Sequence, residues 1–532
     1  MANKKFLRNI LATTSALAIT IGAASEAMAA SRINIGDLSN PATITELKAA
    51  GGVHNDNWLI FNVSGRTLNV AEGESLVGAF MSAAGTIAVT GNATINAIAN
   101  GTLGAGPNLA VVKVTDGKTL TLSGGQYGVN QGGNNWVGTI NGGGNFGEGG
   151  IGPITLGTTI NGDATSLTIN QATNTGTPTF YFTIDSFAGA LHKGILNSPG
   201  GLSYEGVIGG IVPLSAINID NTYYNNGAKD GPQTWLRNAS AAAINLTTGT
   251  SGLLLTGGAI TGNVVNTSGN INNTAVNVSG AVTFIGNIGG DTKISALNLI
   301  SLNGGNGVLT IDGNISANGI SLQHATAKLT LIGGKAGNGL ERAINAPITS
   351  ATLGVGVINV GIDGDTIGNV HFTQTIGGTK APQLLNVYAG PDADGPGSSA
   401  ALFADATFDG TNHDAGSSGV HIGNHATFVT GEPYIPAGED PSVDPVAHTL
   451  TLTHGATIEG SGPATGADGA GEGVLVMVIN NVPGIVGAHG RLESVQMHAL
   501  GGGQAALAHQ IYADALDLTR GSRVTLNNLS LT

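Results

Sequence analysis

Apolar and hydroxyl-bearing positions alternate along this chain in short runs that stop at glycine or asparagine. Leu120-Thr121-Leu122-Ser123, Leu309-Thr310-Ile311-Asp312, Leu329-Thr330-Leu331-Ile332 and Leu450-Thr451-Leu452-Thr453 are versions of one unit. Period-two alternation places the apolar side chains on one face of a strand and the hydroxyls on the other. The Gly or Asn that follows tolerates the positive φ of a tight corner. Runs this short cannot bury their apolar faces alone, so many of them must stack. The pattern predicts an all-β protein: a right-handed parallel β-helix, or solenoid, with a small N-terminal cap region. The strand starts Val282, Leu309 and Leu329 lie 27 and 20 residues apart, so coils of about 20–27 residues are expected.

The pattern divides the chain. Residues 1–29 read as a signal peptide and 30–109 as an entry or cap region. Residues 110–388 hold the densest repeat, 389–446 read as a Pro/Asp/Gly-rich loop insertion or linker, and 447–532 read as further coils that stop mid-pattern, as in a truncated passenger. In the entry region Thr43-Ile44-Thr45-Glu46 fits a capping box with Thr43 as N-cap. Gly51-Gly52 would end that helix, and Trp58 to Val63 read as a strand rich in large residues. Solenoids need an atypical element at each end to cover the first coil. Pro391, Pro396, Pro433, Pro436, Pro441 and Pro445 cannot donate to a ladder, which is why 389–446 is set apart. Asn266 to Asn273 are expected as a loop rather than as an amide ladder between coils.

Composition narrows the class. Glycine supplies 87 of 532 residues and charged residues 10%, against a usual ~25%. There is no Gly-x-y period, and 41% hydrophobic content is enough for a core. Lys4, Lys5 and Arg8 precede an apolar run from Ile10 to Ala24, and Ala27-Met28-Ala29 supplies small residues for cleavage between Ala29 and Ala30. The run is shorter than the ~20 residues of a membrane anchor. Removing this segment, with its three bases and Glu26, leaves 16 basic and 32 acidic residues, a net charge of −16. That balance argues against nucleic acid and anionic lipid as partners. With no cysteine, disulfide stapling is excluded.

The stretch from Ala281-Val282-Thr283-Phe284-Ile285-Gly286-Asn287-Ile288 through Ala296-Leu297-Asn298-Leu299 to Gly307-Val308-Leu309-Thr310-Ile311 resembles the passenger repeats of rickettsial surface cell antigens, the outer membrane protein A and B autotransporters. The likeness is strongest over about 240–360. It implies a β-helical passenger outside the cytoplasm, at the cell surface or outer membrane, or else periplasmic or secreted. Its role would be adhesion through a host-cell surface protein or glycan, or self-association in a surface layer. Such families carry a C-terminal translocator barrel, whose ~10-residue alternating strands and aromatic girdles are not evident here. Outer-membrane attachment through a separate translocator is the resulting expectation.

Candidate chemistry is sparse. Eight of twelve histidines follow residue 412. His421 and His425 have a metal-ligand spacing on a helix, but Gly423-Asn424 disfavours helix. On a strand they would lie about 13 Å apart, too far for one ion. Asp363-Gly364-Asp365 and Asp392-Ala393-Asp394-Gly395 lack the third ligand and the Glu of an EF-hand, and Gly304 to Leu309 has Leu where a calcium nonapeptide has Asp. Turn acids are expected, with no metal and no cofactor. No Gly-x-Ser-x-Gly, His-Glu-x-x-His or phosphate loop occurs, so a non-enzymatic role is expected, a β-helix carbohydrate-active enzyme being the minor alternative.

Overall fold

The computed structural model describes residues 32–34, 37–50, 57–60, 66–76, 79–81, 85–95, 98–100, 110–123, 127–129, 144–146, 151–156, 158, 163–170, 178–180, 183–188, 193–199, 201–220, 233–249, 251–271, 274–302, 304–334, 341–392, 395–411, 413–414, 417–431, 448–462, 470–478, 486–498, 504–507, 510–519 and 523–526. Among them the regular structure is strand, apart from one α-helix, α1 (Ile44–Ala49). The strands stack in parallel, and the fold is an all-β solenoid. Parallel strands joined by crossovers coil right-handedly because each strand is itself right-twisted. Two compact units are present, residues 1–197 with 211–214, and residues 198–210 with 215–532.

In the first unit, Leu68, Ile87, Val112, Ile154 and Ile184 stack as successive register partners. A second column runs through Ala93, Leu120, Leu167 and Leu196. All nine side chains are buried. Parallel pairing begins inside the segment expected as a cap, where Ile33 partners Leu59 and Ala42 partners Leu68; the atypical element there is α1. There Thr43 accepts the Glu46 N–H while the Glu46 carboxylate accepts the Thr43 N–H, the expected capping box, and Ile44 and Leu47 turn inward. The helix ends at Ala49 with Ala50 as its C-cap, and Gly51-Gly52 lie outside the described residues. The strand Asn57–Ile60 matches the expectation for Trp58, with residues 61–63 outside the described set.

In the second unit each coil has three short faces. On the first, Leu253, Val276, Leu297, Ile320, Ile348, Ile376, Ala406 and Leu450 are successive partners. The second stacks Ile260, Phe284, Ile311, Leu331, Val360, Val387 and Ile422. The third stacks Val264, Ile288, Ile315, Ile344, Phe372 and Leu402, then Thr430, Met477 and Met497. Every one is buried. Each such side chain contributes roughly 1.5–3 kcal/mol relative to exposure, so the core is a narrow axis of many thin layers. Val282, Leu309 and Leu329 are direct partners, as their spacing predicts.

The corners have their own code. Gly262-Asn263-Val264, Gly286-Asn287-Ile288 and Gly313-Asn314-Ile315 turn the chain from the second face to the third. A Cβ at Gly286 would overlap the carbonyl oxygen of Gly262, and one at Gly313 that of Gly286. Only glycine permits this approach, and φ at Gly286 is +135°. The next residue locks the stack: Asn263 Oδ1 accepts the Asn287 N–H at 2.9 Å, and Asn287 Oδ1 accepts the Asn314 N–H at 2.8 Å. Asn314 Oδ1 then accepts the Ala343 N–H at 2.8 Å.

Two expectations need correction. Residues 389–446 are not one insertion: Ser399–Leu402, Ala406–Asp409, Gly419–Ile422 and Thr427–Thr430 continue the coils in register. Pro391 and Pro396 sit between strands, where no ladder donor is needed; residues 432–447, with the other four prolines, lie outside the described residues. Coil length also exceeds 27 residues, reaching 30 between Ile376 and Ala406 and 44 between Ala406 and Leu450. Asn266 closes the strand Gly258–Asn266, its amide donating to the Asn270 and Lys293 carbonyls; residues 267–271 form no strand, as expected of a loop, and 272–273 lie outside the described residues, while amide ladders link coils elsewhere.

Candidate functional site

The described residues that bring the most polar chemistry together lie at the corners between the first and second faces. The strand Ala406–Asp409 ends on Asp409, whose side chain is fully buried. Its Oδ1 accepts the Thr411 N–H at 2.8 Å, and its Oδ2 accepts the Thr453 hydroxyl at 2.6 Å. His454 Nδ1 lies 2.5 Å from the same Oδ2. An ionised carboxylate only accepts, so Nδ1 carries the proton. Burial alone would raise the Asp409 pKa, but the hydrogen bonds from Thr411, Thr453 and His454 outweigh it and hold the carboxyl at about 2.

Local sequence explains the geometry. Thr453-His454-Gly455-Ala456 is a tight turn in which Ala456 N–H bonds the Thr453 carbonyl. His454 and Gly455 have φ of +54° and +82°, the signature of a type I′ turn. One coil earlier, His413 Nε2 donates to the Gly354 carbonyl at 2.6 Å, spanning 59 residues of sequence. The cluster therefore ties its corner to the next coil at Thr453 and His454 and to one two coils back at Gly354.

Its chemistry is limited. The His454 ring is 61% exposed, with Nδ1 committed to Asp409. A histidine–carboxylate pair can serve as a general base, but it also needs a nucleophile or substrate within reach of Nε2. The adjacent hydroxyl, Thr453, donates to the carboxylate instead of facing the imidazole. The arrangement is a corner clamp.

Other acids do the same work. Glu459 is buried, and its Oε2 accepts the His489 and Gly490 N–H groups at 2.8 and 2.9 Å. Asp405 Oδ1 accepts the Thr449 N–H. Asp514 Oδ2 accepts the Gly471 N–H, and its Oδ1 pairs with Arg491 at 2.9 Å. On the outward side of the second face, Asn386 donates to Asn359 at 2.9 Å, and Asn359 to Thr330 at 3.3 Å. His421 and Glu459 are the next register partners of that column. Asn245 donates to Asn218, and Asn298 to Asn277, each at 2.8 Å.

The residues singled out from sequence are not brought together. His421 lies on the strand Gly419–Ile422, whereas His425 is in the following corner with φ +54°, so the two share no strand face. Asp363 and Asp365 are exposed in a turn about Gly364, as expected for turn acids, and Asp392 is exposed in another. Gly304 to Asn306 belong to a small antiparallel hairpin in which Ser301–Leu302 pairs with Gly305–Asn306. Ala29 and Ala30 lie outside the described residues. Among the described residues no three His, Cys, Asp or Glu groups are placed to hold a metal, and no helix is long and apolar enough to cross a membrane. The Asp409–His454 pair was not legible beforehand, because its partners are 45 residues apart and only coil register joins them.

Comparison with protein-family models, curated proteins and solved structures returns no match.

Proposed function

We propose that this chain is an adhesive passenger displayed outside the cytoplasmic membrane, binding a host-cell surface protein or glycan through several coils at once. Cleavage between Ala29 and Ala30 releases it for export, and a separate translocator carries it to the outer surface. The observation that carries this reading is the repetition itself: parallel faces repeat coil after coil, with outward positions such as exposed Thr283 and half-buried Thr310 in register. Low charge and polar residues committed to corners and ladders support binding over turnover. Self-assembly into a surface layer is the alternative, resting on the same repetition.

Beads coated with purified chain should adhere to cultured host cells, and soluble chain should compete. Single outward substitutions such as Thr283→Ala should change adhesion less than about twofold, because contacts spread over coils are individually small. Ordered two-dimensional sheets of the purified chain in the electron microscope, without cell binding, would favour the surface layer. Cleavage of a polysaccharide, abolished by one Asp or Glu substitution, would overturn both readings.

A further inference from the structure

We draw no further inference here: the strongest candidate, the outward row of the second face at Ala259, Thr283 and Thr310 with the half-exposed Ile285 beside it, is a stripe of small residues, and nothing in the structure shows what covers it.

Discussion

Coils 258–345 and coils 405–514 perform one architectural task with different chemistry. In the first set, corners are held by neutral amides, with Asn263, Asn287 and Asn314 each accepting a backbone N–H from the next coil. In the second set the acceptors are carboxylates: Asp405, Asp409, Glu459 and Asp514. Coils there are also longer, with 44 residues between the register partners Ala406 and Leu450. A neutral amide bond contributes about 0.5–1.5 kcal/mol at any pH, and a carboxylate about 1.5–3 kcal/mol while ionised. The longer coils are thus stapled by the stronger acceptor, which brings pH dependence with it. The same core geometry is kept throughout, so the difference lies in how each coil is closed.

The largest effect is expected where corners are tightest. Gly286→Val places a Cβ on the Gly262 carbonyl and forces a β-branched residue to φ +135°. A loss of about 3–5 kcal/mol, read from urea denaturation, is expected. Gly455 has φ +82° but open space around it, so Gly455→Ala should cost only about 1 kcal/mol. Equal effects at the two glycines would mean that coils are not in close contact at the first set of corners.

Next in size is the ladder. Asn359→Ala removes the acceptor of Asn386 and the donor to Thr330. Leaving these buried groups unsatisfied should cost about 1–3 kcal/mol, with hydrogen exchange accelerating over 357–387 before it does so elsewhere.

Smaller, and specific to the second set, is the effect of acid. The folded Asp409 carboxyl is held at about 2, below the ordinary value of 3.8. Its contribution is therefore fully present above the unfolded pKa and is lost as pH falls through 4 towards 2. Asp409→Asn should cost roughly 1–2 kcal/mol at pH 6, and the gap between variant and wild type should close by pH 2. Amide protection in wild type should fall over 406–458 on acidification while 258–315 stays protected. Uniform acid loss along both sets would contradict the contrast.

Local features were legible in the sequence, and features set by register were not. The capping box of Thr43 and Glu46 lies within four residues and is present. Val282, Leu309 and Leu329 could be aligned because each starts an alternating apolar and Thr run. The strands of 399–430 were hidden because Ala-Thr-Phe-Asp and Gly-Val-His-Ile are short, and nearby prolines outweighed them although those prolines serve corners. Amide ladders escaped notice because Asn359 and Asn386 are 27 residues apart, and nothing local shows that they share a column. The Asp409–His454 pair escaped for the same reason, across coils of unequal length.

Parallel stacking in the stated register is the claim on which the rest depends, and the absence of native cysteine makes it directly measurable. Thr283 and Thr310 are direct partners on the outward side of the second face, so their Cα atoms lie about 4.8 Å apart, within disulfide range. Thr283 and Thr330 are two coils apart, about 9.6 Å, beyond that range. Mild oxidation should close the Thr283→Cys/Thr310→Cys pair rapidly and leave Thr283→Cys/Thr330→Cys reduced. Cross-linking of the second pair, or of neither, would contradict a parallel coil in this register.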